Sequence, residues 1–547
     1  MTTAVPSVQT AVQLTGPDRL ELNAAKPVPR PGPRQFLASV ECVGLCFSDM
    51  KLLHQFDRHP RKTPVLAHLG EEVLRAIPSY VPEGRPTVPG HEVVLRVRAV
   101  GDGVSSVRVG GRYLVQADFR ELKTAGSNGA FGYNFEGGLQ QWVLLDERVT
   151  VAGDGQSYLL PVPEERAASQ LALVEPWACV EDAFAVRERR TLRPGGRLLL
   201  VTGKGCRADL AGLEIPSALR LAVGEQIPEG FTRIKLDVPL KPNIDDLIYV
   251  GHDPDELERL MPAVAKDGLV LVCAGGGRFG RILAMPIGRV HYGNVRLAAT
   301  TGSRPAEALA AIPASGELRP GDRVNVVGAG GPMGVMAMVR AIAASRPGAT
   351  VEGGVRNPQR AAALRERVGP LAQRLGVQVR LFDSDAEPPA GPVDYCFLMA
   401  PVPELVARAV REAAPRGIIN VFAGIPADTP CPVDMDAVCA KGVYFIGTSG
   451  STMEDMRVVL GKVLDGTLDT NLSVGAVSGM AGAIAGLAAV KDRTIAGKII
   501  VYPQLTDLPL LTLEQVAVRY PSVAARCERG GWTAAAEAEL LRVAAAG

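Results

Sequence analysis

The stretch GDRVNVVGAGGPMGVMAMVRAIAA, residues 321–344, decides the fold. An apolar run, a glycine-rich turn and a long helix-forming segment follow one another, the order of a strand, a turn and a helix. Glycine permits close backbone approach and a helix N-terminus favours negative charge, so such a turn can present its N–H groups to a pyrophosphate. Gly328 and Gly330 open a GxGxxG spacing with Met333 in the sixth place. Gly331 and Gly334 complete it only if Ala329 takes the first place. Both registers stay open, and these four glycines are the candidate dinucleotide-binding residues. The next strand lies in ATVEGGVRNPQR, residues 349–360. An acidic residue at its end would suit the ribose of NAD, and an arginine the 2′-phosphate of NADP. Arg356 and Arg360 favour NADP, while Glu352, four residues before Arg356, keeps NAD open.

Working outward, a repeat appears. DDLIYVGHDPDELERLMPAVAKDGLVLVCAGG (245–276) and VDYCFLMAPVPELVARAVREAAPRGIINVFAGI (393–425) each read strand, acid-capped helix, glycine, strand. They lead to VRLAATTGS (295–303) and VYFIGTSGS (443–451), which are 148 residues apart. Self-similarity in that order implies a duplicated dinucleotide-binding-type unit. The first copy opens with GGRLLLVTGKGCRADLAGLEIPS (195–217), with Gly203, Gly205 and Ala208 in the fingerprint places. A helix there can run only to Pro216, so this copy is expected to be trimmed and to bind nothing.

The whole chain of 547 residues is too long for one core. Lys and Arg total 59 against 58 Asp and Glu, which argues against a polyanionic partner such as nucleic acid. The opening residues lack the pattern of a secretory signal, and no apolar run approaches the length of a membrane span. Nine scattered cysteines fit a reducing compartment, so a cytoplasmic location is expected. Residues up to about 150 alternate in short β-type runs punctuated by Gly and Pro, whereas the chain beyond about 175 alternates apolar strands with helical segments.

Two stretches of the β-rich part carry metal-ligand chemistry: GLCFSDM (44–50) and VPGHEVV (88–94). Thiolate, imidazole and carboxylate are the donors zinc accepts in catalytic sites. With VECVGLCFSDM, PTVPGHEVV, GDGVSSVRVGGRYLV, LVEPWACVEDAF, the glycine-rich turn and IAGKIIVYP, the chain resembles the zinc-dependent medium-chain alcohol and polyol dehydrogenases. The resemblance implies an α/β fold with a GroES-like catalytic domain over residues 1–190. Beyond it would lie two tandem Rossmann-type doubly wound parallel-sheet units, the degenerate one at 191–315 and the intact one at 316–500. A helical segment, 501–547, is expected to pack back on the first domain.

The resemblance further implies Cys46, His91 and Glu92 as ligands or near-ligands of a catalytic zinc, with Glu175 approaching as in the polyol branch. Which glutamate binds directly stays open. Ser48 is then the first proton carrier and Asp49 the partner that orients His91. The implied reaction is hydride transfer between a secondary alcohol (a polyol, sugar or sugar phosphate) and NADP or NAD, in a homo-oligomer, dimer or tetramer. A redox-neutral epimerase or lyase with retained NAD(P), and a nucleotide-sensing module without turnover, are the alternatives. Three departures from the family stand out. The loop ADFRELKTAGSNGAFGYNFEGG (117–138) lacks the four cysteines of a structural zinc lobe, Lys51 replaces a common histidine, and the segment from Lys51 to Gly90 is long. His54, His59 and His68 within it are read as solvated or structural.

Overall fold

The structure, a computed structural model, describes residues 5–235, 241–528 and 530–544. The chain packs as two compact units, residues 1–178 with 451–547, and residues 179–450.

The first unit is built on an eight-stranded sheet whose central strand is Gln35–Gly44. That strand is buried at nearly every position because both of its faces are covered. It pairs antiparallel with Glu92–Val100 along its length. Its other edge takes Trp142–Asp146 first and Lys498–Val501 at its end. Residues 451–501 therefore contribute two strands, Val474–Ser478 and Lys498–Val501, to this sheet and not to the dinucleotide-type sheet. The long segment after Lys51 folds into the same core through Phe56, Val65, Leu74 and Tyr80. Near the C-terminus, helix Ala534–Ala544 sends the Glu537 carboxylate to the start of helix Ala168–Ala172. There it accepts the Ala168 and Ser169 N–H groups at 2.6 and 2.9 Å, and the Tyr502 hydroxyl at 2.9 Å.

The second unit is a single twelve-stranded sheet. In chain order its strands are β1 (Arg197–Thr202), β2 (Leu219–Val223), β3 (Thr232–Arg233), β4 (Ile244–Val250), β5 (Val264–Cys273) and β6 (Arg296–Thr300). The next six are β7 (Val324–Val327), β8 (Thr350–Gly354), β9 (Gln378–Phe382), β10 (Val393–Leu398), β11 (Ala413–Val421) and β12 (Tyr444–Ile446). The spatial order is β3-β2-β1-β4-β5-β6-β12-β11-β10-β7-β8-β9. Each half therefore has the 3-2-1-4-5-6 order of a doubly wound dinucleotide fold. The sheet runs without interruption across the expected boundary at 315/316, and one apolar core underlies both halves.

The repeat holds in the hydrogen-bond ladder. β4 pairs with β5 through Ile244↔Val264, an irregularity, then Asp246↔Leu269. β10 pairs with β11 through Val393↔Ala413, the same irregularity, then Tyr395↔Ile418. The kink has one cause in both halves: Asp267 and Arg416 take left-handed backbone (φ 60° and 59°). The glycine that follows each, Gly268 or Gly417, has no room for a Cβ, because the carbonyl of Ala265 or Ala414 lies under 3.0 Å from its place. The Asp245 carboxylate accepts the Arg197 N–H at 2.8 Å, and Asp394 accepts the Arg323 N–H at 2.9 Å.

One expectation is corrected here. No helix forms between β1 and β2, although one as far as Pro216 was expected. Asp209 is held instead by its N–H bond to the Ser303 carbonyl and its carboxylate's pair with Arg304, and left-handed Gly212 follows.

Candidate metal centre and dinucleotide cradle

Sheet register assembles the metal-type cluster. Gly44 ends one strand directly opposite Glu92, which begins its antiparallel neighbour. The residues just beyond these ends, Cys46 and His91, consequently emerge at the same edge. The thiol of Cys46, an imidazole nitrogen of His91 and a carboxylate oxygen of Glu92 lie within 4.8 Å of one another. Cys46 is also the N-cap of helix Phe47–Gln55, whose first turn supplies Ser48 and Asp49. Asp49 is fully buried; it accepts the Cys46 N–H at 3.2 Å and meets His91 Nδ1 at 2.9 Å. Ser48 Oγ lies 3.1 Å from Cys46 Sγ and 3.2 Å from His91 Nε2.

The electrostatics are those of a buried, carboxylate-rich pocket. Burial alone would lower the pKa of His91, but the Asp49 charge, the Tyr133 charge and the hydrogen bonds to Asp49 and Cys46 together outweigh it, and the pKa is raised well above the usual value. Burial, reinforced by the Glu92 charge and opposed by His91, pushes Glu175 up to about 7. Glu175 belongs to this electrostatic neighbourhood but not to the cluster of three. Glu92 pairs with buried Lys498, while its Oε2 has no hydrogen-bond partner. A Cβ on Gly44 would sit 2.1 Å from that oxygen, so glycine opposite Glu92 makes room for the carboxylate. The donor set of thiolate, imidazole and carboxylate, with one buried carboxylate oxygen still unpartnered, fits a zinc ion.

Sequence reasoning passed over Tyr133. It lies buried in the loop lacking the four cysteines, with its ring 5.8 Å from that of His91 and Ser48 among the groups acting on its hydroxyl. The run AFGYNF was the available signal: an aromatic loop where a metal lobe was sought. The three histidines of the long segment stay apart from the cluster. His54 pairs with Asp18, His59 is buried beside Tyr133 with its pKa lowered to about 4 by burial and then by Arg61, and His68 sits in a left-handed turn.

In the second unit, Gly328 follows β7 with φ 86°, and helix Pro332–Ala344 starts with proline at its first position, where no N–H is needed. Val335 bonds back to the Gly331 carbonyl at 2.9 Å, while in the preceding turn the Gly328 and Ala329 N–H groups bond to the Gly354 carbonyl at 3.2 and 3.1 Å and the Gly331 N–H bonds to the Gly328 carbonyl at 3.2 Å, so the N–H groups turned to an anion are those of the helix's first turn. A Cβ on Gly334 would come 2.3 Å from the Gly328 carbonyl, and one on Gly330 2.7 Å from Val355. Gly328, Gly330 and Gly334 are thus each required, and the tight-packing glycine falls one place later than in GxGxxG. The β8 strand ends at Gly354, with exposed Arg356 just beyond. Glu352 is fully buried and spent on Arg380 at 2.9 Å and on the Ala390 N–H.

A β-rich unit bearing a Cys-His-Glu cluster thus shares one chain with a doubly wound sheet that carries a glycine-rich turn. Residues 32–154 match the alcohol dehydrogenase GroES-like domain. The (R,R)-butanediol dehydrogenase of Bacillus subtilis (strain 168) is 26% identical over 251 residues, which cover 44% of this chain and 61% of that protein. The crystal structure of 2R,3R-butanediol dehydrogenase from Bacillus subtilis superposes with a TM-score of 0.52 at 16% identity, over 90% of this chain and 99% of that one. A Sinorhizobium meliloti 1021 protein, assigned as a zinc-binding dehydrogenase and solved bound to NADP, gives 0.50 at 15% identity over 91% and 100%. The GroES-like match is confined to residues 32–154, the chain spans 61% of the length of the curated relative it matches, and the likeness to the solved dehydrogenases is one of fold. Among the described residues no helix is long and apolar enough to cross a membrane.

Proposed function

We propose that the chain is a zinc- and nicotinamide-dependent oxidoreductase that moves hydride between a secondary alcohol, of the polyol, sugar or sugar-phosphate class, and NAD(P). The observation that carries this reading is the convergence of Cys46, His91 and Glu92 within 4.8 Å, with a Glu92 oxygen left unpartnered. Cys46 and His91 would hold the ion, with Glu92 or Glu175 completing the set. Zinc bound there supplies Lewis acidity toward an alcohol oxygen.

The chain's own groups do the rest. Asp49 accepts the Nδ1 proton of His91, which fixes the tautomer and turns Nε2 toward the cluster. Ser48 Oγ is the first acceptor of the substrate hydroxyl proton, and the nearby Tyr133 hydroxyl offers that proton an onward step where Lys51 replaces a histidine. The Gly328 to Gly334 turn cradles the pyrophosphate. Arg356 at the end of β8, with Glu352 spent on Arg380, favours NADP over NAD. Nine free cysteines support a cytoplasmic setting.

Metal analysis of the purified protein tests the reading. About one zinc per chain is expected from the ligand set, with Cys46→Ser losing both the metal and the alcohol-dependent reduction of NAD(P). Activity retained without metal would overturn it.

A further inference from the structure

The two halves of the second unit meet along β6 and β12, and they do so symmetrically. These strands run antiparallel, with Leu297 opposite Phe445. Those two residues are equivalents in the repeat, 148 positions apart. A second antiparallel ribbon repeats the relation: Leu283–Met285 pairs with Cys431–Val433, with Ala284 opposite Pro432, again 148 apart. In that ribbon Leu283 faces Val433 and Met285 faces Cys431, so each contact has its mirror. Contact of residue i with j and of j′ with i′ is the signature of an isologous, two-fold interface between like bodies. The buried side chains around it obey the same offset: Ile287 and Met435, Val290 and Val438, Val295 and Val443 are all at most 2% exposed.

What the first half has kept and lost divides along this axis. Beside the join, β4, β5 and β6 keep the register, the left-handed kink and the apolar packing of their counterparts β10, β11 and β12. On the far side there is no helix after β1, and β3 is two residues long with both exposed. The cofactor-side helix is gone and the joining edge is intact. A strand edge left open would offer unpaired N–H and C=O groups to other chains, and here each half covers the other's.

We propose that residues 195–303 act as a built-in partner. They occupy, within one chain, the place that the second subunit of a two-fold dimer would take on the β12 edge, and they serve that role in place of binding a nucleotide. The expected homo-oligomer then has no open edge to form at β12. This goes beyond the dehydrogenase reading and does not depend on it.

The full-length protein is measured by light scattering over a wide concentration range, with hydrogen exchange followed in the peptides that carry β6 and β12. The expected result is a particle of one chain's mass in which both strands stay protected at every dilution. Free exchange of either strand in the single-chain particle would overturn the proposal. Should two chains associate at all concentrations, Met285→Cys decides, because it sets a thiol opposite Cys431. A disulfide inside each chain upholds the built-in partner. A disulfide between chains, or none, overturns it.

Discussion

After β7 the chain turns at Gly328 straight into a helix of 13 residues, whereas after β1 it runs from Gly203 to Ser217 with no helix at all. The two strands are alike, apolar and buried, and each is preceded by the same turn, with left-handed Gly195 and Gly321 in equivalent places. The difference lies in what the following residues can close. In the second half Gly334 lets the helix press against the Gly328 carbonyl, while in the first half Asp209 is drawn to Ser303 and Arg304. Sheet order and ladder survive in both halves because they rest on many apolar contacts. The anion cradle rests on a few glycines and one helix start, and the first half keeps Gly203 and Gly205 without the helix start.

The strongest way to break this contrast is a pair of glycine substitutions. Gly334→Val would put a side chain into the Gly328 carbonyl and should weaken dinucleotide binding by at least about a hundredfold, ~3 kcal/mol. Gly203→Ala, whose new methyl would meet nothing nearer than 3.4 Å, should leave binding unchanged. Fluorescence titration with NADP and NAD reads both; equal losses would mean that both halves bind.

A second comparison sharpens what the halves share. Asp245 and Asp394 hold equivalent N–H groups at the foot of β1 and β7, so Asp245→Ala and Asp394→Ala should each cost about 1–3 kcal/mol. Urea unfolding followed by circular dichroism would show it, and a cost confined to Asp394 would mean that the first half is not a folded equal of the second.

Arg356→Ala should reduce NADP affinity by about tenfold, as expected for one charge-assisted phosphate contact, and leave NAD affinity within about twofold. Titration with both cofactors measures the ratio, and equal losses would remove Arg356 from the 2′-phosphate. The smallest effect is expected at Gly205, where φ is 72° but the space is open. Gly205→Ala should cost at most ~1 kcal/mol of stability through backbone strain and should not alter cofactor binding, as thermal melts with and without NADP would report.

Much of this was legible beforehand, because the features concerned are local. The Cys46 and His91-Glu92 motifs could be read, and strand register then brought them together, with Gly44 and Glu92 as the opposed pair. The repeat was legible through its 148-residue offset, but the turns LRPGGR (192–197) and LRPGDR (318–323) are 126 apart and escaped notice. The halves differ in length between strands, so no single offset aligns them. The absent helix after β1 could not be read either, because Asp209 is held by Ser303 and Arg304, almost a hundred residues away. The placement of Val474–Ser478 and Lys498–Val501 in the β-rich unit is likewise a long-range pairing, although an apolar run such as KIIV reads equally well in either sheet. Tyr133 was missed because the loop was searched for cysteines, and a ring packed beside His91 leaves no spacing pattern.

The most direct test of the account is the number of nicotinamide dinucleotides bound per chain, measured by isothermal titration of the full-length protein with NADP and with NAD. One cradle in two like halves predicts about one site per chain, abolished in Gly334→Val and untouched in Gly203→Ala. Two sites per chain, or one site that survives Gly334→Val, would contradict it.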